Sequence, residues 1–225
     1  DRTAAAAYIM RNWRHGDLPL TELVAVAHRS NVPVIVDGSG MIPPPENLTR
    51  FIEEGADIVT YSGGKGLEGP QSTGLLCGRA DLIEAARLNM SPMPGVGRPA
   101  KVGKEEIIGV LAALERFAGL DHQARWGRWR GMAQTIAAAL GEIDGLAVRV
   151  EEENPPRQGP QPVVYFDSDW QGPTALQVRE ALIAGDPPIY IGSGGYRDEL
   201  YVAMVTLQEG EEEIVARRLH EALTR

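Results

Sequence analysis

Two spacings of apolar residues alternate through the first ninety positions of the chain. Short, largely apolar runs over residues 4–10, 32–37, 56–60 and 73–77 have the length of strands. The unbroken apolar run ahead of Asp37 predicts a parallel strand buried on both faces. Between these runs the apolar positions take helical spacing. Leu20, Leu23, Val24 and Ala27 share one face of a helix that opens at residues 18–22, runs to about Ser30 and is ended by Asn31. A shorter helix is predicted over residues 48–54, closed by Gly55, and another over residues 81–89. This alternation predicts βαβ units and a mainly parallel sheet with helices on its faces.

The pattern then changes twice. Residues 91–99 are rich in Pro and Gly and read as a linker or a binding loop. Residues 104–140 are strongly helical, with Ile107, Ile108, Leu111, Leu114 and Ala118 on one stripe, and Gly119 and Gly127 are the candidate breaks. Beyond them, strands are expected over residues 146–150, 163–166, 189–191 and 201–205. Helices are expected over residues 174–184 and 211–223, the last with an acidic start that suits the helix dipole. The fold class is therefore α/β with a small α+β domain at the carboxyl end. The expected divisions are 1–90 for part of a large domain, 91–140 for linker and connecting helices, and 141–225 for the small domain.

Composition narrows the function classes. A net charge of −9 over 225 residues argues against a large nucleic-acid footprint and leaves a local basic patch open. No window approaches the ~20 apolar residues of a membrane helix. The single cysteine, Cys77, excludes a disulfide framework within the chain and fits a cytoplasmic setting, where it reads as a buried structural thiol. The chain opens directly into a strand with no leader pattern, and an upstream segment is expected to be missing.

The candidate chemistry lies in a glycine-rich stretch, Tyr61-Ser62-Gly63-Gly64-Lys65-Gly66-Leu67-Glu68-Gly69-Pro70-Gln71-Ser72, that follows the third strand. Glycines let the backbone turn sharply and approach a ligand. A lysine held at the mouth of a sheet can form a Schiff base, and desolvation would make its amine nucleophilic. Taken alone, such a lysine reads as a surface residue in a turn. Asp37 changes that reading. It ends a buried strand 28 positions earlier, and strand–helix–strand passage brings the two side by side at the carboxyl edge of the sheet, where ligands bind in such folds. An imine-forming lysine beside a carboxylate suits pyridoxal 5'-phosphate, whose ring nitrogen the acid would keep protonated. The Ser62 hydroxyl, with loop N–H groups, is a candidate for the phosphate. A cleft beside the small domain would hold the ligand.

Several segments together carry a resemblance. Ile35-Val36-Asp37, the run from Gly55 to Lys65, Gly69-Pro70-Gln71-Ser72-Thr73-Gly74 and the run from Arg98 to Glu106 resemble the selenocysteine synthase-like branch of the fold-type I PLP-dependent enzymes. That branch includes seryl-tRNA selenium transferase-related proteins and D-glucosaminate-6-phosphate ammonia-lyase-like members. The loop Gly-Gly-Lys-Gly-Leu-x-Gly-Pro-Gln-Ser is most similar to the ammonia-lyase-like group.

The resemblance implies a PLP-binding large domain, of which this chain carries the C-terminal part, and a small C-terminal domain. It also implies a homodimer or larger homo-oligomer with shared active sites. Family members run much longer than this chain, and the N-terminal half of the large domain normally supplies a phosphate cradle and a ring-stacking residue. A polypeptide truly starting at Asp1 would bind PLP poorly.

Lys65 is the expected catalytic residue. Asp37, Ser62, Lys65, Asn12, Ser39 and Gln71 are the candidate cofactor-binding residues, and His15 and Arg98 the candidate substrate contacts. Asn12 would bond the phenolic oxygen, Ser39 would pack under the ring or touch substrate, and Gln71 would orient the loop or bond the cofactor. Turn, cap or solvated-loop roles remain open for Asn12, His15, Arg98 and Lys101. His28 reads as structural, Trp126 and Trp129 as core or interface, and Gly192-Ser193-Gly194-Gly195 as a turn.

The leading expectation is a PLP-dependent lyase that abstracts an α-proton from a small anionic amino acid, eliminates a β-substituent and releases ammonia. Selenium transfer to a seryl-tRNA is the first rival; racemase, aldolase and transaminase reactions share the same proton chemistry. A non-catalytic fragment or assembly subunit is the rival of another class.

Overall fold

The computed structural model describes residues 2–10, 18–152, 158–193 and 199–224. Its packing divides the chain between Leu120 and Asp121 into two compact units.

The first unit is built on a four-stranded sheet of β1 (Ala6–Ile9), β2 (Val34–Asp37), β3 (Ile58–Ser62) and β4 (Gly74–Gly78), in that spatial order. α1 (Leu20–His28) connects β1 to β2, and α2 (Asn47–Glu53) connects β2 to β3, so the first three strands are parallel. β4 runs antiparallel to β3. Only a loop joins these two, and it lacks the helical crossover that a parallel return needs.

The register puts Val34, Val36, Val59 and Tyr61 on one face. There they meet Leu20, Val24 and Ala27 of α1 and Phe51 of α2 in a buried core. Ile9 and Leu76 occupy the alternate positions and are substantially exposed. Leu20, Val24 and Ala27 are the buried residues of α1, as its helical spacing predicts, whereas Leu23 is only half-buried.

After α3 (Ala80–Asn89) and a 3-10 turn at Arg98–Ala100 comes α4 (Lys104–Ala118), whose Phe117 joins the same core. The Glu106 carboxylate accepts a hydrogen bond from the Gly103 N–H at 2.8 Å and caps the helix start. Gly119 ends α4. Gly127 does not break the next helix, α5 (His122–Leu140), which Asp121 starts by accepting from the Ala124 N–H at 2.9 Å. An interior glycine costs a helix only about 1 kcal/mol, which core burial along α5 outweighs.

At the amino end of the sheet, Asp57 ties several elements together. Its buried carboxylate accepts from the Val34 N–H at 2.7 Å and from Arg79 at 2.9 Å, and it lies 2.8 Å from the His28 ring nitrogen. His28 is thus structural, as expected. Burial pushes the Asp57 carboxyl up, but the Arg79 guanidinium, the Val34 N–H and His28 together hold it below the usual range.

The second unit holds α5 and an antiparallel sheet of β5 (Leu146–Glu151), β6 (Gln161–Phe166), β8 (Glu199–Tyr201) and β7 (Gly192–Ser193), in that order. α6 (Ala175–Ile183) and α7 (Glu211–Leu223) complete it. Ile136, Leu140, Val178, Leu182, Leu200 and Leu219 are fully buried at its centre, and Trp129 is a core residue.

Two expected strands are displaced. Residues 189–191 precede the two-residue β7 instead of forming a strand. The strand placed at 201–205 ends at Tyr201 and gives way to a 3-10 turn, Met204–Thr206.

Candidate active site

Asp37 is the last residue of β2 and pairs with Thr60 of β3. One residue further, the Gly38 N–H still donates to the Thr60 carbonyl at 3.0 Å, which holds the chain exit against β3. The next residue turns back, and the Ser39 N–H donates to Asp37 Oδ1 at 2.9 Å. Beneath this turn lies the buried Tyr61 ring, whose hydroxyl donates to the Asn47 carbonyl at 2.6 Å. Burial pushes the Tyr61 phenol well up. Tyr61 is therefore a core anchor under the site.

Lys65 arrives from the other side. Its Nζ donates to Ser39 Oγ at 3.3 Å, so amine, serine and carboxylate form one connected series at the carboxyl ends of β2 and β3. The pairing of Asp37 with Lys65 expected from topology thus passes through Ser39. Lys65 itself is exposed, so the described residues do not supply the dry surroundings expected for it.

The loop that carries Lys65 is closed by its own backbone. Gly63 N–H donates to Thr73 O at 2.9 Å, Glu68 N–H to Lys65 O at 2.9 Å and Gly69 N–H to Gly63 O at 2.8 Å. The Gln71 side-chain amide donates to the Gly64 carbonyl at 3.0 Å, one residue before the lysine. Two glycines are needed for contact. A Cβ on Gly64 would lie 2.6 Å from Gln71 Cα, and one on Gly66 would lie 1.8 Å from the Ile42 carbonyl oxygen.

The remaining candidates divide. Ser62 ends β3, half-buried, opposite Gly74. Arg98 donates to Ser91 Oγ at 2.9 Å, and no hydrogen bond or ion pair among the described residues joins it to Asp37, Ser39 or Lys65. Asn12 and His15 lie outside the described residues. Cys77 is half-buried in β4, where burial pushes its thiol up.

Two residues that the sequence reading gave no role also meet the lysine loop. Glu106 accepts from the Ser72 hydroxyl, and Arg116 pairs with Glu68 at 2.8 Å. Their spacing of ten positions on one helix was visible, but nothing in the sequence tied that helix to the loop.

The L-seryl-tRNA selenium transferase (SelA) family profile matches residues 4–125, more than half of the chain. A 5'-C-glycyluridine monooxygenase-decarboxylase from a Streptomyces species is 36% identical over 227 residues, covering 99% of this chain and 55% of the relative. The chain belongs to the seryl-tRNA selenium transferase family. Another relative, the D-glucosaminate-6-phosphate ammonia lyase of Salmonella typhimurium, is 29% identical over 98% of this chain and 58% of its own length. The solved structure of a D-glucosaminate-6-phosphate ammonia-lyase superposes with a TM-score of 0.68 at 28% identity, covering 99% of this chain and 58% of that one.

The chain therefore spans just over half the length of these relatives. The architecture is that of the fold-type I PLP-dependent enzymes, an α/β arrangement on a mixed sheet. Among the described residues no helix is long and apolar enough to cross a membrane, and no group of acidic, histidine or cysteine side chains is arranged to hold a metal.

Proposed function

We propose that the protein is a PLP-dependent lyase of the ammonia-lyase kind, acting on a small anionic amino acid. The observation that supports this most directly is the series Lys65 Nζ, Ser39, Asp37 at the carboxyl ends of parallel strands. The donor set suits the cofactor: a primary amine, a carboxylate near it and a glycine loop with no room for side chains. When bound, PLP supplies an aldehyde for imine formation and a ring that accepts electrons from the substrate.

In this reading Asp37 would keep the pyridine nitrogen protonated, and Ser62 would hold the phosphate with nearby N–H groups. Gln71 would orient the loop or bond the cofactor, Ser39 would contact the cofactor or the substrate, and Asn12 would take the phenolic oxygen. Lys65 Nζ accepts the substrate α-proton as general base. Loss of the β-substituent then leads to an enamine, which hydrolyses to a keto acid and ammonia. His15 and Arg98 are the proposed contacts for the distal part of the substrate. We further propose that residues 1–90 are part of the PLP domain, 141–225 the small domain, and 91–140 the linker and connecting helices, of which α4 packs in the first unit and α5 in the second. The active protein is proposed to be a cytoplasmic homo-oligomer with shared sites.

The test is product analysis of the full-length protein with phosphorylated amino-sugar acids. Ammonia and keto acid should form in equal amounts, and Lys65→Ala should lower the rate by about 10³-fold or more. A second reading rests on the 36% identity to a monooxygenase-decarboxylase: the same lysine and acid would then serve loss of a carboxylate. Oxygen uptake with carbon dioxide release, and no keto acid, would favour it. Selenium transfer to seryl-tRNA is the third, supported by the family profile.

A further inference from the structure

One face of α4 follows the lysine loop residue by residue. Near the amino end of the helix, the Glu106 carboxylate accepts from Ser72 Oγ and also from the Gly103 N–H. One turn on, Gly109 lies against Pro70, so closely that a Cβ there would sit 2.7 Å from the proline ring. The next positions, Val110 and Ala113, line Gly69, whose added Cβ would lie 3.1 Å from the Ala113 methyl. At the far end, Arg116 pairs with Glu68 at 2.8 Å. Positions 106, 109, 110, 113 and 116 share one side of a helix by the three- and four-residue rule. The loop runs antiparallel to them, from Glu68 back beside Arg116 to Ser72 beside Glu106.

Two features indicate that this contact orders the loop. Glu68 holds a left-handed backbone, φ 59°, which a non-glycine residue adopts only when its surroundings hold it there. The Ser72 hydroxyl and the Gly103 N–H also hold the Glu106 carboxyl below the usual range, so it stays a charged acceptor at neutral pH.

We propose that α4 is the template that orders the lysine loop, with Glu106 and Arg116 as positioning residues that act on Lys65 through Ser72 and Glu68. Neither needs to touch substrate. The significance for catalysis rests on the PLP reading, but the ordering itself does not.

The test separates the two. Hydrogen exchange of the Gly63, Glu68, Gly69 and Thr73 amides, all bonded within the loop, reads loop order without cofactor. Ser72→Ala leaves the Glu106–Gly103 cap intact and should speed exchange of these amides about tenfold, as should Arg116→Ala, while β2 and β3 keep their protection. Glu106→Ala should do the same and also loosen the first turn of α4. Glu106→Gln keeps a neutral acceptor for Ser72 and should restore at least half of the lost protection.

In the cofactor-loaded full-length protein, Ser72→Ala and Arg116→Ala should also shift the pH at which the lysine-bound cofactor band changes. Unchanged loop exchange in both Ser72→Ala and Arg116→Ala overturns the template. Absence of cofactor on Lys65 in the unmodified protein overturns the PLP reading and leaves the exchange result standing.

Discussion

Lys65 is exposed, and among the described residues its amine donates to Ser39. Its position is therefore set by the backbone of its loop and not by packing of its stem. That makes Gly66 a sensitive residue, because an added Cβ would meet the Ile42 carbonyl oxygen, which belongs to backbone and cannot rotate away. Gly66→Ala should cost about 1–3 kcal/mol in denaturant titration and should speed exchange of the loop amides. Gly40→Ala, where nothing lies within 4 Å of the added methyl, should leave both nearly unchanged. At this scale Asp37 and Lys65 were legible, since an acid at a strand end and a lysine between glycines are local patterns. Ser39 as the bridge was only partly so: its place beside the site was expected, but its bond to Lys65 depends on the turn after Gly38. Arg98 resembles a site residue by motif, and its guanidinium donates to Ser91 Oγ.

Among the elements, strands and helices of the first unit were readable to within one to three residues, because each has an unmixed spacing of apolar positions. The reversed β4 follows from the length and glycine content of the lysine loop, which is too short and irregular for a crossover helix. Residues 189–191 and 201–205 were misplaced because short apolar runs do not distinguish strand from extended chain or 3-10 turn.

The opposite end of the sheet gives a pH prediction. Asp57 has a lowered carboxyl pKa in the fold, so its contribution is present above the unfolded value and is lost as pH falls through the folded value. Stability of the first unit should therefore drop in the acid range, below about pH 4. Asp57→Asn should remove part of that dependence and destabilise the fold at pH 7 as well, because the buried Val34 N–H, Arg79 and His28 lose a charged acceptor. Urea melts of both proteins at pH 3, 5 and 7 measure it.

On the scale of the whole molecule, two compact units carry separate cores. Ile136, fully buried in the second, should cost about 2–4 kcal/mol on replacement by Ala. The acidic balance of −9 bears on the rival readings. Transfer-RNA retention is expected only at low salt, with affinity falling steeply between 50 and 200 mM, a range set by counterion release. Tight binding at the upper end would favour selenium transfer over the lyase.

The proposed chemistry requires that Lys65 carry the cofactor. Borohydride reduction of the full-length protein after addition of PLP, followed by digestion and mass mapping, measures it directly. A stable adduct is expected on the peptide that contains Lys65, and it should be lost in Lys65→Ala. An adduct on another lysine, or none on any, would contradict this.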